Sequence, residues 1–335
     1  MHTLLDPAIL FFVFGVLAGA LRSNLEIPEP IRKFLSLYLL MALGLKGGFA
    51  LAQSGLDPDV ATGLAAAVFM AFLVPALGYR VLRKVASRFD AAAVAASYGS
   101  VSAVTFVTAT QHLDNAGIVF GGHMTAAMVL MESPAIIMAV LLATAARQAV
   151  GAPAMAACGG GAAAVTGPAS PGAGIGRILH ESFTDGAQLL LIGAMVIGYF
   201  SGESGNAVMQ PFTGDLFKGM LAFFLLDMGL MVARNFRLAR EASHWFLAYA
   251  VAGPLLHASI ALLLAMMLSM PAGDATLLMV LSASASYIVV PAVLRTAVPE
   301  ANPALYFGLS LGITFPLNLL VGIPAYATVA TLVLA

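Results

Sequence analysis

Basic residues occupy every second gap between the long apolar segments of this chain. Only 15 of its 335 residues are Lys or Arg, and all but Lys46 and Lys218 fall in these alternate gaps. The cytoplasmic loops of membrane proteins are enriched in Lys and Arg relative to the loops on the other side. The pattern therefore predicts a polytopic membrane protein whose odd-numbered loops are cytoplasmic and whose two termini both lie outside.

The composition agrees with a membrane protein. Hydrophobic residues make up 61% of the chain and charged residues only 9%, whereas soluble domains carry about 25% charged residues. About 20 apolar residues are needed to cross the hydrocarbon core as a helix. The apolar segments predict ten spans, of which the fifth, eighth and tenth are long enough to be tilted, kinked or broken: 8–21, 31–52, 60–79, 91–110, 117–146, 185–202, 211–232, 243–269, 274–294 and 302–333.

The residues before the first span bear on location. Only His2 and Asp6 are ionisable there, so the basic segment that precedes the apolar core of a signal peptide is missing. We expect a retained helix in a bacterial-type plasma (inner) membrane. The formal net charge of −1 and the lack of a basic patch argue against a nucleic-acid partner. The single Cys158 excludes a disulfide framework within the chain.

A segment rich in Gly, Ala and Pro divides the chain. Residues 147–180 lack helical periodicity and predict a flexible cytoplasmic linker between a first repeat, 1–146, and a second repeat, 181–335. Each half holds five spans, so the halves would insert with opposite orientation, as inverted repeats of secondary transporters do. Weak sequence matches support this division: Gly44 with Gly229, Pro75 with Pro254, Ser100 with Ser282, Ser102 with Ser284, and Pro134 with Pro316.

Two segments rich in hydroxyl groups lie in the fourth and ninth spans, at 97–105 and 282–287. Small residues at membrane depth allow a helix to break, which frees N–H groups that attract anions and carbonyl groups that bind cations such as Na⁺. The alternative is that these residues only pack helices together, with each Ser bonded to its own helix. Their equivalent positions in the two halves favour a binding site.

Four ionisable residues lie in or near spans, where an unpaired charge is costly. Glu132 is the strongest functional candidate because Pro134 can free backbone carbonyls just before it. Asp227 fits a pairing role and a functional role equally well. His257 is typical of a hydrogen-bond donor between helices, and Lys46 is expected to extend toward the outer surface.

Motifs of enzymes are missing from the chain. His123 and Glu132 do not form the H-E-x-x-H pattern of zinc proteases, and nothing matches the glycine-lysine loop that binds nucleotide phosphates. We therefore expect no enzymatic activity, no cofactor other than Na⁺ as a coupling ion, and no ATP-driven pumping.

The chain resembles the sodium-dependent bicarbonate transporters, the SbtA-type permeases, in both halves. The stretch from Ser284 to Pro303 is the most specific part of the resemblance. The motifs that carry it are Ile27-Pro28-Glu29-Pro30, Leu43-Gly44-Leu45-Lys46-Gly47-Gly48, Tyr98-Gly99-Ser100-Val101-Ser102, Glu132-Ser133-Pro134-Ala135, Gly253-Pro254-Leu255-Leu256-His257, Ser284-Ala285-Ser286-Tyr287 and Val298-Pro299-Glu300-Ala301-Asn302-Pro303.

The resemblance implies an all-α membrane protein of ten helices in two inverted five-helix repeats, assembled as a homotrimer. It implies import of a small anion with Na⁺ by an elevator-like movement, and a PII-like cytosolic regulator as a partner. The site would lie where the fourth and ninth helices break. Carried over residue by residue, the substrate site is Ser100, Ser102, Ser284, Ser286 and Tyr287, and the ion site is Gly99, Thr105, Glu132 and Ser284, with Na⁺ at Ser102 and Ser284.

One departure from the resemblance leaves alternatives open. The bicarbonate-transporting branch has Asp where this chain has Tyr287, and Ser-Gly where it has Val289-Val290. Loss of a carboxylate and a hydroxyl weakens the coordination of a hard cation. The cargo could therefore be another small anion or an organic acid, with proton coupling through Glu132. A membrane regulator that transports nothing is a third hypothesis.

Overall fold

The computed structural model describes residues 6–55, 58–150, 186–240, 242–287, 290, 294 and 298–334. These residues form helices joined by short turns, with no strand among them. Most of the predicted linker 147–180, including Cys158, lies outside the described residues. The division of the chain at that linker stays a prediction.

Thirteen α-helices and three π-helical segments are described. The α-helices are α1 (Pro7–Ala20), α2 (Glu29–Ser54), α3 (Pro58–Leu82), α4 (Arg88–Gly99), α5 (Ala103–Ala116), α6 (His123–Val150), α7 (Gly186–Gln210), α8 (Leu216–Arg240), α9 (His244–Met267), α10 (Ala272–Ala283), α11 (Pro303–Leu309), α12 (Phe315–Leu317) and α13 (Ile323–Leu334). The π-helical segments are Pro211–Asp215, Ser310–Thr314 and Asn318–Gly322.

Seven helical stretches in the described part of the chain have the length and composition to cross a membrane. They are Glu29–Gln53, Val60–Leu82, Arg88–Ala116, His123–Arg147, Leu189–Phe236, His244–Met267 and Pro303–Leu334. Two shorter helices, α1 and α10, are also apolar. The chain is thus a multi-pass membrane protein.

The structure differs from the sequence prediction between the sixth and seventh spans. Residues predicted as a loop are helical, because α7 continues to Gln210 and a π-helical turn joins it to α8. The 48-residue stretch Leu189–Phe236 therefore covers both predicted spans. Gly202 interrupts it with φ 56° and ψ −143°, a conformation that glycine adopts without a steric penalty.

Four helices form two closely packed pairs, α1 with α8 and α2 with α7. Glycines make the close approach possible in both pairs. A Cβ atom on Gly15 would overlap the carbonyl oxygen of Leu226, and one on Gly48 would overlap that of Met195. In the predicted repeats these two pairs are equivalent, since the first span packs on the seventh and the sixth packs on the second. We call these four helices the paired unit.

The remaining helices carry the interrupted spans, and we call them the broken-helix unit: α3 to α6 and α9 to α13. Here α3 packs against α4 and α6, while α9 packs against α10 and α10 against α13. Pro75, Pro134 and Pro254 lie inside α3, α6 and α9. The unit is largely buried around α4 and α10, whose residues from Ala91 to Gly99 and from Gly273 to Ala283 are all inaccessible to solvent.

Several polar contacts connect residues near the ends of different spans. In each contact, the charge pattern assigns both residues to the same side of the membrane. On the predicted outer side the contacts are Lys46 with Asp114, Asn115 with Asp6, and the Gly121 amide with Asp274. On the predicted cytoplasmic side they are Arg147 with Glu300, the Asn302 amide with Asp90, and Arg234 with the Leu25 carbonyl. The alternation of sides read from the sequence is therefore compatible with the packing.

Candidate functional site

The fourth predicted span is interrupted within its serine-rich segment. α4 ends at Gly99 and α5 begins at Ala103. Between them Ser100 and Ser102 have extended backbones, with ψ of 169° and 109°. The hydroxyl of Ser102 accepts a hydrogen bond of 3.2 Å from the amide of Thr105. This side chain caps the first turn of α5 and explains why a helix restarts at this position.

The ninth predicted span is interrupted at the equivalent place. α10 ends at Ala283, and the residues from Ser284 to Ser286 are not helical. The carbonyl that the break frees on Ala283 accepts a hydrogen bond of 2.8 Å from Nδ2 of Asn318. Asn318 is held in turn by Tyr326, whose hydroxyl donates to Oδ1 over 3.1 Å. A buried amide from the last predicted span therefore replaces the lost helical donor.

The two breaks are hydrogen-bonded directly to each other. The amide of Ser102 donates to the hydroxyl of Ser284 over 3.0 Å, and the amide of Ser286 donates to the carbonyl of Ser97 over 2.8 Å. Buried backbone groups outside a helix need such partners. The crossing thus satisfies N–H groups that each broken helix would otherwise leave unpaired. It also brings together Ser102, Ser284 and Ser286 of the predicted site.

Tyr287 fills the side of the crossing that faces the paired unit. Its hydroxyl lies near the Ser102 side chain and 3.5 Å from the sulfur of Met228 on α8. Its ring packs against Phe315, with the ring centroids 5.6 Å apart. A buried aromatic ring with one polar tip therefore borders the serines.

Several hydroxyls near the crossing are buried without a partner. The side chains of Ser97, Ser100 and Ser282 make no hydrogen bond to any described residue. Leaving such a group unsatisfied costs about 1–3 kcal/mol. Ser100 and Ser282 are equivalent positions in the predicted repeats. These hydroxyls can donate or accept, so they are available to a small polar ligand.

Opposite helix ends meet at the crossing. α5 presents its N-terminal end, which carries a partial positive charge and unpaired N–H groups, while α10 presents its C-terminal end with a partial negative charge. An anion is stabilised by the first end and a cation by the second. No cluster of three or more His, Cys, Asp or Glu residues suited to a metal ion occurs in the described ranges. A cation here would be held by hydroxyl and carbonyl oxygens.

Three residues of the predicted ion site take different positions. The Cα atom of Gly99 packs against α3. A Cβ atom at this position would lie 2.6 Å from Cγ of Pro75. Gly99 therefore permits helix packing. Thr105 reaches the crossing through its amide, which binds Ser102. Glu132 is buried on α6, a helix that packs against α4, and its role as an ion ligand stays a prediction.

Asp227 and His257 lie where helices pack together. Asp227, which is 1% exposed, is held by Arg32, with 3.0 Å between Nη2 and Oδ1. The ring of His257 is buried near the backbone of Ser282, and its Nδ1 has no hydrogen-bond partner among the described residues. Asp227 thus joins α2 to α8, and His257 lies where α9 packs against the last turn of α10.

Two residues of the site were missed in the sequence. Asn318 holds the end of α10, and Thr314 accepts a 2.6 Å hydrogen bond from the Tyr98 hydroxyl while donating to the carbonyl of Ala250 over 2.9 Å. Both belong to the tenth predicted span. An amide side chain inside an apolar segment, between Leu317 and Leu319, was the signal that could have identified Asn318.

Comparison with protein families gives one assignment. The model of the Na⁺-dependent bicarbonate transporter superfamily matches residues 7–331. Comparison with curated proteins gives no significant match. The family match includes both interrupted spans and both helix pairs, so it extends over the fold and the crossing alike. The chain belongs to the Na⁺-dependent bicarbonate transporter superfamily.

Proposed function

We propose that the protein is a secondary active transporter that imports bicarbonate together with Na⁺. The observation that carries this proposal is the hydrogen-bonded crossing of two broken helices at Ser102 and Ser284. Broken helices at the middle of a membrane are where secondary transporters bind substrate and coupling ion. Family membership supplies the class of cargo.

The anion would bind at the N-terminal end of α5. Backbone N–H groups and the helix dipole favour a negative charge there. Bicarbonate carries both hydrogen-bond acceptors and one O–H donor, and hydroxyl side chains complement both. The substrate-binding residues would be Ser100, Ser102, Ser284, Ser286 and Tyr287.

Na⁺ would bind beside the anion, near the C-terminal end of α10. Oxygen atoms of Ser102 and Ser284 are the proposed ligands, with the backbone carbonyl of Gly99, the side-chain hydroxyl of Thr105 and Glu132 from α6 as further candidates. Tyr287 provides no carboxylate ligand at this proposed Na⁺ site. A site of neutral oxygens holds a hard cation weakly, so the affinity for Na⁺ should be low.

Ten membrane crossings in two inverted repeats would accommodate this site. The 48-residue stretch Leu189–Phe236 is long enough for two crossings, and α1 and α10 would add the shorter ones. The equivalence of the α1–α8 and α7–α2 pairs supports the inverted repeats. Both termini would lie outside in a bacterial-type inner membrane, and the assembly would be a homotrimer with a PII-like regulator on the cytoplasmic side.

Transport would proceed by an elevator-like movement. The broken-helix unit would carry the crossing as a body, while the paired unit stays fixed in the membrane. The two helix pairs of the proposed scaffold each pack closely through glycines, which is compatible with their moving little relative to each other.

Uptake of radiolabelled bicarbonate into proteoliposomes, with and without an inward Na⁺ gradient, tests the proposal. We expect accumulation that depends on the gradient and that is abolished by Ser102→Val and by Ser284→Val. Ser259→Val is the matched control, because Ser259 is hydrogen-bonded within the exposed face of α9. Uptake that survives both site substitutions would contradict the proposed site.

A second candidate function is transport of another small anion or an organic acid, coupled to protons through Glu132. The packing of Tyr287 against Phe315 favours it, because the crossing is bordered by aromatic surface instead of a carboxylate. A ligand stabilises the protein that it binds. Thermal stabilisation across a panel of anions would therefore separate the two candidates, and stabilisation by bicarbonate alone would exclude the second.

A membrane regulator without transport activity is less well supported. That hypothesis requires the two serine-rich segments to serve only for helix packing, within continuous helices. The interruptions after Gly99 and after Ala283 disfavour it.

A further inference from the structure

Two polar contacts at the predicted outer face join the paired unit to the broken-helix unit. Nζ of Lys46 on α2 lies 2.7 Å from Oδ2 of Asp114, near the end of α5. The next residue, Asn115, donates from Nδ2 to Oδ2 of Asp6 over 2.9 Å. Two consecutive residues at one end of α5 thus contact two separate parts of the paired unit.

The side-chain contacts described at the opposite face lie within one unit or the other. Arg32 and Asp227 belong to the paired unit. Arg147 and Glu300 belong to the broken-helix unit, and so do Asp90 and the amide of Asn302. Polar side chains therefore tie the two units together on the outer side, whereas these three cytoplasmic contacts each hold one unit together.

A partly open cavity of about 340 Å³ lies beside the ion pair, between α2 and the outer parts of α5 and α6. Lys46 and Asp114 border it, and Thr110 and Thr125 line its walls. The ammonium group of Lys46 is also positioned 5.2 Å from the centre of the Phe217 ring on α8. The ion pair is thus placed where the two units would separate to admit a ligand from outside.

α5 connects this contact to the crossing. The helix begins at Ala103, next to the break, and runs without interruption to Ala116. Its 14 residues span about 21 Å at 1.5 Å per residue. A displacement of the crossing therefore carries Asp114 and Asn115 with it.

We propose that the Lys46–Asp114 ion pair, together with the Asp6–Asn115 hydrogen bond, is an outer latch that closes the transporter to the outside. The inference rests on the proposed function, because it assumes that the broken-helix unit moves against the paired unit. Opening the latch is required before ligands can enter from the outer side. The side chains of Lys46 and Asp114 are 30% and 38% exposed, so the pair is weak enough to open in every cycle.

Cysteine labelling from outside tests the latch without measuring transport. The single Cys158 is replaced by Ser, and Thr110→Cys is introduced on the cavity wall. The rate of modification by a membrane-impermeant maleimide is then measured in oriented proteoliposomes. We expect Lys46→Gln and Asp114→Asn to raise this rate about two- to fivefold, the shift that one part-exposed ion pair can produce in an equilibrium.

The charge-exchanged double variant, Lys46→Asp with Asp114→Lys, should restore slow labelling. Lys218→Gln is the matched control, because Lys218 is an exposed lysine of the same face with no ion pair among the described residues. Lys46→Arg keeps the positive charge at this position, so its introduced cysteine should be modified at the parent rate. Faster modification in Lys46→Arg as well would point to misfolding. A Lys46→Gln rate equal to the parent rate, or an equal rise in Lys218→Gln, would overturn the latch.

Failure of the latch and failure of the proposed function give different results. Bicarbonate uptake in the parent protein could depend on Na⁺ while Lys46→Gln leaves the rate of cysteine modification unchanged. In that case the latch is wrong and the transport proposal stands. If labelling responds as expected while no bicarbonate accumulates, the latch stands and the proposed cargo is wrong.

Discussion

The backbone amide of Ser102 donates a 3.0 Å hydrogen bond to the hydroxyl of Ser284, a residue 182 positions later in the chain. The two serines hold the same position in the two predicted repeats, each next to the end of a broken helix. The side chain of Ser284 in the second repeat thus supplies the hydrogen-bond acceptor for the backbone amide of Ser102, its counterpart in the first repeat. This bond ties together the N-terminal end of α5 and the C-terminal end of α10.

Replacing Ser284 by Ala should destabilise the crossing. The substitution leaves the amide of Ser102 buried without a partner, which costs about 1–3 kcal/mol. We expect a lower midpoint of thermal unfolding in detergent than for Ser259→Ala, whose hydroxyl bonds only to its own helix at an exposed position. Equal midpoints for the two variants would show that the amide finds another partner.

Asn318→Leu should weaken the end of α10. The carbonyl of Ala283 loses its donor while the branching and the number of side-chain heavy atoms are kept, so we expect a loss of about 1–3 kcal/mol and reduced uptake. Asn235→Leu is the control, because Nδ2 of Asn235 donates to Met231 within α8 at a partly exposed position. Thermal melts and uptake rates measured side by side would reveal the difference.

Two glycine substitutions should have opposite effects on stability. A Cβ atom on Gly48 would overlap the backbone oxygen of Met195, so Gly48→Ala should force α2 and α7 apart and lower the melting temperature. A Cβ atom on Gly219 in α8 meets no atom within 4 Å. Gly219→Ala should stabilise by about 0.4–1 kcal/mol through reduced entropy of the unfolded chain. A harmless Gly48→Ala would contradict the close contact.

Stability should fall in acid through the Arg147–Glu300 pair. The hydrogen bond from Arg147 holds the pKa of Glu300 below its usual 4.5. A carboxyl group with a lowered pKa stabilises the folded state above its unfolded pKa and stops doing so as the pH falls through the folded value. We expect this contribution to be present at neutral pH and to disappear below about pH 4.5.

Melting temperatures measured between pH 3 and pH 7 would test this prediction. Glu300→Gln should flatten the acidic part of the profile, while Glu203→Gln, at an exposed position on the other face, should leave it unchanged. Parallel profiles for Glu300→Gln and the parent protein would mean that the pair does not contribute.

Tyr287→Asp should strengthen the dependence on Na⁺. It places a carboxylate next to Ser102, as the resemblance to the bicarbonate transporters implies for that branch, and a charged oxygen binds a hard cation more tightly than a hydroxyl does. We expect the Na⁺ concentration for half-maximal uptake to fall about tenfold, which corresponds to about 1.4 kcal/mol. Tyr287→Phe, which keeps the ring and its packing on Phe315, should leave that concentration unchanged. A lower value in both variants would assign the effect to the hydroxyl.

Much of the fold followed from local features of the chain. Apolar segments of sufficient length predict membrane spans because the hydrocarbon core excludes unpaired backbone groups. The small, hydroxyl-rich segments identified the places where helices end, at Gly99 and Ala283. The loop expected between the sixth and seventh spans was wrong, because the chain kinks at Gly202 and is helical again over residues 203–210.

The partners across the molecule could not be predicted in the same way. The expected place of Gly99 at the ion site stays a prediction, and only the structure shows that its Cα packs against Pro75, because packing decides how each helix is rotated. Asp227 could have been functional or structural until Arg32 was found beside it. Asn318 belongs to the crossing only because the last span lies against α10.

The sequence by itself determined that the chain spans a membrane and where two spans break, since both depend on hydrophobicity and backbone propensity along a short segment, while the alternation of its loops stays a prediction from charge. The tertiary structure alone decided which residues meet. Ser102 binds Ser284, and Lys46, an exception to the charge pattern, is balanced by Asp114. Those pairings join residues far apart in the chain, and they depend on the rotation and depth of packed helices, which no local pattern specifies.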